Sequence, residues 1–194
     1  KYISDEVQTG AGRCGGDFLL TKTLKIDADM VTMAKGFGNG AAIGATLMKT
    51  DVAEKLAGKA YFNTFGGDPY QTMQAKITMD IIREEKLVAN AKKMGALLKD
   101  GLEQLMKKHQ LIGDVRGRGL LLGMELVKDR KTKAYATQET IEFMDLCRRH
   151  GLLLGKGGLF GNVVRVVPPL SIKQEHVGAI IMIMDKCFDI MAKG

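Results

Sequence analysis

Only three cysteines, Cys14, Cys147 and Cys187, occur in the 194 residues of this chain. An odd, widely spaced set excludes a disulfide framework and a thiolate metal cluster, and it suits reduced thiols in a reducing compartment. The three histidines, His109, His150 and His176, are equally scattered, so no metal is expected. No apolar run approaches the roughly 18 residues that a membrane span needs. Aromatics are only 6% of the chain and do not interleave with its basic residues. That argues against a nucleic-acid interface despite a net charge of +7 and a pI near 9.3. The basic residues lie among acids along amphipathic segments, which is a solvated surface that also suits anionic substrates. No signal peptide is visible. The chain opens on Lys1 inside a strand-like stretch, and an upstream segment carrying any targeting signal is expected before it.

What is present is the composition of a globular protein, 45% hydrophobic and 26% charged, long enough for one domain or two small ones. Residues 1–7 read as a strand end and a loop, and the glycine-rich stretch 9–16 as loop. Residues 30–33 and 42–48 read as short buried parallel strands. A brief helix is expected over 51–56 with Asp51 as its cap. A longer one follows Asp68 and Pro69, with Met73, Ile77, Ile81 and Ile82 on its apolar pattern. Residues 88–109 suit a helix with Leu97, Leu98, Leu102 and Leu105 on one side. Residues 112–127 read as a turn and a strand, 137–150 as a helix, and 151–155 and 163–167 as strands. Ser171 and Gln174 fit a capping box for a last helix, whose core face is Val177, Ile181, Met184, Phe188 and Met191. The domain boundary is placed near Lys93, giving 1–93 and 94–194.

One lysine carries the most information. In Asp29-Met-Val-Thr-Met-Ala-Lys-Gly-Phe-Gly-Asn-Gly40, Lys35 ends an apolar, β-branched run and opens onto a glycine-rich turn. Upstream, Ser4-Asp-Glu-Val-Gln-Thr-Gly10 puts Asp5 at another strand end. By itself such a lysine is most often a surface residue, and such an aspartate a turn cap. Together they are the two groups a pyridoxal phosphate enzyme needs: an amine for a Schiff base, and a carboxylate to keep the pyridine nitrogen protonated. Burial would lower the lysine pKa and ready it for both nucleophilic and proton-transfer work. The run Gly36-Phe-Gly-Asn-Gly40 also resembles a dinucleotide loop, but its glycine pattern is incomplete and the acidic residue expected downstream is missing.

Five ordered motifs resemble the class-III aminotransferases, the family of ornithine, acetylornithine, 4-aminobutyrate and alanine–glyoxylate aminotransferases. They are Ser4–Arg13, Asp29–Gly36, Asn63-Thr-Phe-Gly-Gly-Asp-Pro69, Arg116-Gly-Arg-Gly-Leu120 and Val164-Arg-Val-Val-Pro-Pro-Leu170. The resemblance covers nearly the whole chain. It implies an α/β architecture of fold type I: the second part of the large, mostly parallel-sheet domain, followed by a C-terminal α+β small domain. It implies pyridoxal 5′-phosphate as cofactor, Lys35 as the Schiff-base lysine and Asp5 on the pyridine nitrogen. Val7 would pack on the ring, and Gln8 would contact its phenolic oxygen. Thr64 would reach the cofactor phosphate of a neighbouring subunit, which makes the protein a homodimer with shared sites. Arg165 would hold the substrate α-carboxylate, with Arg116 and Arg118, in what reads as a turn, as its rivals. The half of the large domain that supplies the phosphate loop and the stacking aromatic is not in this chain, so these residues alone are not expected to form an active enzyme.

The function expected is transfer of an amino group from an amino acid or amine to a 2-oxo acid. An aminomutase, racemase or decarboxylase would use the same lysine and aspartate, and a non-catalytic assembly protein could keep the fold. Residues 155–162 lean toward the alanine–glyoxylate branch, and with it toward a mitochondrial rather than a cytoplasmic location.

Overall fold

The computed structural model describes residues 1–193. The chain divides into two compact units, Lys1–Ala89 and Asn90–Gly194.

The first unit holds a three-stranded sheet of β1 (Ile3–Asp5), β2 (Met30–Met33) and β3 (Ala45–Met48), with β2 in the middle. Strands β1 and β2 are parallel, with Asp5 opposite Thr32. Strand β3 is antiparallel to β2, with Ala45 opposite Met33. The expected parallel, buried strand over 42–48 is therefore shorter, reversed and only partly covered. The link from Met33 to Ala45 is too short for the crossover that a parallel return needs. It turns back through left-handed Lys35, Asn39 and Gly40. Val31 and Met33 are the buried positions of β2.

Three helices complete this unit: α1 (Leu20–Thr23), α2 (Thr50–Ala53) and α3 (Pro69–Glu84). The brief helix starts before Asp51 and has no side-chain cap. The Asp51 carboxylate is instead engaged by Lys1 Nζ at 2.9 Å. At α3 the cap is as expected: Asp68 accepts a hydrogen bond from the Gln71 N–H at 2.9 Å, and Pro69 opens the helix. Its buried face differs, however. Ala75, Thr78 and Ile82 are buried, while Met73, Ile77 and Ile81 are exposed.

The second unit contains α4 (Leu87–Lys108), whose first turn spans the division, then β4 (Ile112–Arg118), β5 (Leu121–Leu126), α5 (Thr137–Arg149), β6 (Gly155–Gly157), β7 (Val163–Val166) and α6 (Gln174–Met191). Its sheet runs β4-β5-β7-β6, antiparallel throughout. Residues 112–127 thus form a hairpin of two strands rather than a turn and a strand, and Arg116 and Arg118 lie in β4. Strand β6 starts later than expected. The last turn of α5 continues through Gly151 to Leu152, whose N–H reaches the Cys147 carbonyl at 2.9 Å.

One sheet face packs against the helices. Leu122, Met124, Leu126 and Val164 meet Leu98, Leu102, Phe143 and Met184, all at 2% exposure or less. Phe143 stacks on Phe188 at 4.0 Å between ring centres. In α4, Leu97 is exposed rather than part of the core row. In α6 the buried positions are Val177, Ile180, Met184, Cys187 and Phe188, and Ile181 and Met191 are only partly covered. The capping exchange is two residues later than the Ser171–Gln174 pattern: the Lys173 N–H donates to His176 Nδ1 at 3.2 Å. The turn closed by Ile172 N–H on the Pro169 carbonyl already takes up Ser171. All three cysteines are buried. Among the described residues no helix is long and apolar enough to cross a membrane.

Candidate active site

In the first unit the parallel pair β1–β2 places two chemical groups at one end. Asp5 is the last residue of β1, and Lys35 follows β2 by two residues. Both stand beyond the carboxyl ends of adjacent parallel strands, the edge where open α/β sheets hold ligands. Lys35 has φ of +50°, a left-handed backbone that a lysine adopts at a cost of about 1–3 kcal/mol. It opens a 3₁₀ turn, Lys35–Phe37, and its carbonyl accepts from the N–H groups of Gly38 at 3.0 Å and Asn39 at 3.2 Å. Helix α3 braces that turn through Gln74, whose Nε2 donates to the Gly38 carbonyl at 3.1 Å. The Lys35 side chain is exposed within these residues, not buried. The closure expected around it is therefore not supplied by this stretch of chain.

Asp5 is exposed, and its Oδ1 accepts from the Val7 N–H at 3.0 Å, an Asx turn that orients the carboxylate as the chain leaves the strand. Val7 is half-buried and Gln8 exposed in the loop that follows. This loop is anchored by Glu6, which the sequence reading passed over. Glu6 is 2% exposed. Its Oε2 accepts from the Leu20 N–H at 2.6 Å, and its Oε1 accepts from the Thr21 N–H at 2.8 Å and the Thr21 hydroxyl at 2.6 Å. Its own N–H donates to the Thr32 carbonyl, and its carbonyl accepts from the Gly10 N–H, both at 2.9 Å. One residue thus extends the β1–β2 pairing, ties down the loop carrying Val7 and Gln8, and caps α1. Leu19, at the start of α1, has no side chain able to cap the helix, so the Glu6 carboxylate does.

Burial holds the Arg13 guanidinium below its ordinary pKa, although it stays charged. At the start of β2, Asp29 is held below the usual carboxylate range, first by the Tyr2 N–H and then by Lys1. The chemistry of this end fits pyridoxal phosphate: an amine and a carboxylate on neighbouring strand ends, and a glycine at 36 that leaves the space next to Lys35 open as far as the Ala11 methyl, 3.9 Å from its Cβ position.

Thr64 is exposed in the turn before α3. Asn63 shapes that turn, its Oδ1 accepting from the Phe65 N–H at 3.1 Å and its carbonyl from the Gly66 N–H at 2.9 Å. Tyr61, Phe62 and Phe65 around it are all more than 80% exposed.

Arg165 belongs to the second unit. It lies in β7 between Val164 and Val166, which point into the core, and is itself half-buried on the opposite sheet face. It borders a cleft of about 640 Å³ shared with Leu154, Pro168, Ile172 and His176. Its rival Arg116 is engaged by two carboxylates, Asp114 at 2.5 Å and Glu125 at 2.7 Å, with its pKa raised by them. The histidines contain one convergence that sequence spacing concealed. His109 Nε2 lies 2.6 Å from Asp185, but the Lys108 ammonium already bridges Asp185 at 2.8 Å and Asp189 at 3.0 Å, so this is an ion-pair cluster.

A family model described as aminotransferase class-III matches residues 2–188. An alanine–glyoxylate aminotransferase 2 homologue of Arabidopsis thaliana, named as mitochondrial, is 46% identical over 184 residues, 95% of this chain and 38% of that protein. The human mitochondrial alanine–glyoxylate aminotransferase 2 is 36% identical over 177 residues, 90% of this chain and 34% of that protein. Among solved structures, a Bacillus anthracis aminotransferase superposes with a TM-score of 0.89 at 34% identity, covering 96% of this chain and 44% of that one. The chain thus spans well under half the length of the relatives it matches. The family is one of pyridoxal-phosphate-dependent enzymes of fold type I. By the match along almost its whole length, the chain belongs to the class-III aminotransferases.

Proposed function

We propose that the complete protein transfers an amino group from an amino acid or amine to a 2-oxo acid, using pyridoxal 5′-phosphate held by Lys35, Asp5, Val7 and Gln8. The observation that carries this reading is the pairing of Asp5 and Lys35 at the carboxyl ends of adjacent parallel strands, with Lys35 in a strained backbone conformation. Strain of this kind concentrates at functional sites.

The cofactor, when bound, supplies an electron sink for the bond broken at the substrate α-carbon. Lys35 Nζ would hold the cofactor aldehyde at rest and, once freed, would take the donor's α-proton and return one to the 2-oxo acid's carbon in the reverse half. Asp5, oriented by its Asx turn, would keep a proton on the pyridine nitrogen. Val7 would cover the ring, and the Gln8 amide would donate to its phenolic oxygen. Arg165 binds the substrate α-carboxylate with its planar fork and fixes which bond is broken. Thr64 reaches the cofactor phosphate of a second copy, so the working unit is a homodimer with shared sites. Residues 1–93 serve as part of the cofactor-binding domain, and residues 94–194 serve as the small domain.

The decisive measurement is the half-reaction of the cofactor-loaded enzyme with L-alanine. Stoichiometric pyruvate, with cofactor left in its amino form, is the expected result. Racemised alanine or released carbon dioxide without pyruvate would overturn it. Glyoxylate as the favoured acceptor, and a mitochondrial location, are the finer reading, supported by the names of the Arabidopsis and human relatives. A second reading has one support: a Caenorhabditis elegans ethanolamine-phosphate phospho-lyase homologue is 35% identical over 194 residues, 97% of this chain and 41% of that protein. Inorganic phosphate released from phosphoethanolamine would select it.

A further inference from the structure

We infer that Gly157 is a positioning residue for Arg165 and, through it, sets how tightly a substrate carboxylate is held. The inference rests on the reading of Arg165 as the carboxylate ligand. Strand β6 is a three-residue edge strand, and two of its residues are glycine. Glycine inside a strand loses packing and conformational entropy, and it commonly marks a place where another group must come close. The backbone does not demand it here, since Gly157 lies outside the left-handed region that Gly158 occupies at φ of +78°.

The approaching group is the Arg165 stem. Gly155 is the direct partner of Arg165 across the β6–β7 ladder, and Gly157 is its diagonal neighbour on the same face. A Cβ at Gly157 would sit 2.9 Å from Arg165 Cδ and 3.1 Å from its Cγ. A Cβ at Gly155 would sit 3.4 Å from Arg165 Cβ, an ordinary contact. On the other side, Gly123 of β5 also faces Arg165, yet a Cβ there would meet only Val163, at 3.4 Å. The stem therefore leans toward β6 and runs over Gly157. A methyl at Gly157 forces the middle of the stem aside and displaces the guanidinium at its far end. Two parallel hydrogen bonds to a carboxylate tolerate little of that displacement.

The test compares Gly157→Ala, Arg165→Gln, the double variant and Gly123→Ala in the complete, cofactor-loaded enzyme. It uses L-alanine and ethylamine, the same donor without its carboxylate, and calorimetric binding of propionate. Loss of the charged fork in Arg165→Gln weakens propionate binding and raises the alanine KM by about 10- to 100-fold. Gly157→Ala is expected to do the same by about tenfold. It leaves the ethylamine half-reaction unchanged, and Gly123→Ala leaves alanine kinetics unchanged. In the double variant the loss equals that of Arg165→Gln alone, because one residue acts through the other. Equal losses for alanine and ethylamine, or losses that multiply in the double variant, overturn the inference. Unchanged propionate binding in Arg165→Gln instead overturns the reading of Arg165 on which it rests. If Gly157→Ala alone does not fold, Gly157→Ala combined with Arg165→Ala, which removes the stem that the methyl would strike, is expected to fold; a combined variant that stays unfolded overturns the inference.

Discussion

Lys35 pays for its position twice, with a left-handed backbone at φ of +50° and with a turn that only its neighbours' glycines and the Gln74 brace allow. In the complete enzyme, Lys35→Ala should lower turnover by at least about 10²- to 10⁴-fold, as loss of a proton-transfer group does. It should also abolish the visible absorbance of lysine-bound cofactor. An unchanged spectrum would remove Lys35 from its role. Glu6 gives a second prediction at this scale. Its buried carboxylate accepts from two backbone N–H groups and a hydroxyl. In Glu6→Gln, an amide nitrogen must face one of those donors. The expected loss is about 1–3 kcal/mol of stability, read as a lower Tm or denaturation midpoint, with the cofactor band weakened as the Gln8 loop loosens. Lys35 and Asp5 were legible in the sequence because glycines and polar residues at strand ends leave a pattern. Glu6 was not, because its partners, Leu20 and Thr21, are defined only by where the loop returns.

At the scale of elements, contact geometry overrode local pattern in several places. Residues 42–48 have the composition of a buried strand, yet the short reversing link makes β3 antiparallel and leaves Leu47 exposed. Periodicity identified α3 and α4 but misassigned part of their faces, because Met73, Ile77 and Ile81 share a helical stripe that the first unit does not cover. Close approach of backbones is equally invisible in sequence. A Cβ at Gly95 in α4 would lie 2.3 Å from the Gly119 carbonyl at the β4–β5 turn. Gly95→Ala, favourable by helix propensity, is therefore expected to cost about 1–3 kcal/mol, measurable by denaturant unfolding. Helices α4 and α6 are also joined by charge. Asp185 is held below the usual carboxylate range, first by Lys108 and then by His109. With its folded pKa below the unfolded value of about 3.9, its contribution is complete above that range and is lost as pH falls through the folded value. Asp185→Asn should flatten the acid limb of a Tm-against-pH curve.

For the whole molecule, Tyr61, Phe62 and Phe65 around Thr64 and the Met73, Ile77 and Ile81 stripe of α3 form apolar surface that the described residues leave uncovered. If Thr64 serves the site of its partner, mixing Lys35→Ala and Thr64→Ala chains should restore activity. One site of each mixed dimer then carries both defects and the other neither, so a purified mixed dimer approaches half of the unmodified activity and a randomly re-paired equal mixture about a quarter. Mixtures as inactive as the parent variants would place Thr64 in its own chain's site. Covalent order and local backbone preference were enough to reveal the family, the order of the motifs, the start of α3 at Asp68 and Pro69, and the residue types that the chemistry requires. It took the folded arrangement to bring Asp5 and Lys35 to one end of β1 and β2, to anchor the loop between them through Glu6, to occupy Arg116 with carboxylates, and to lay Arg165 over Gly157. Each of these depends on which distant backbones approach, and chain order does not encode that distance locally.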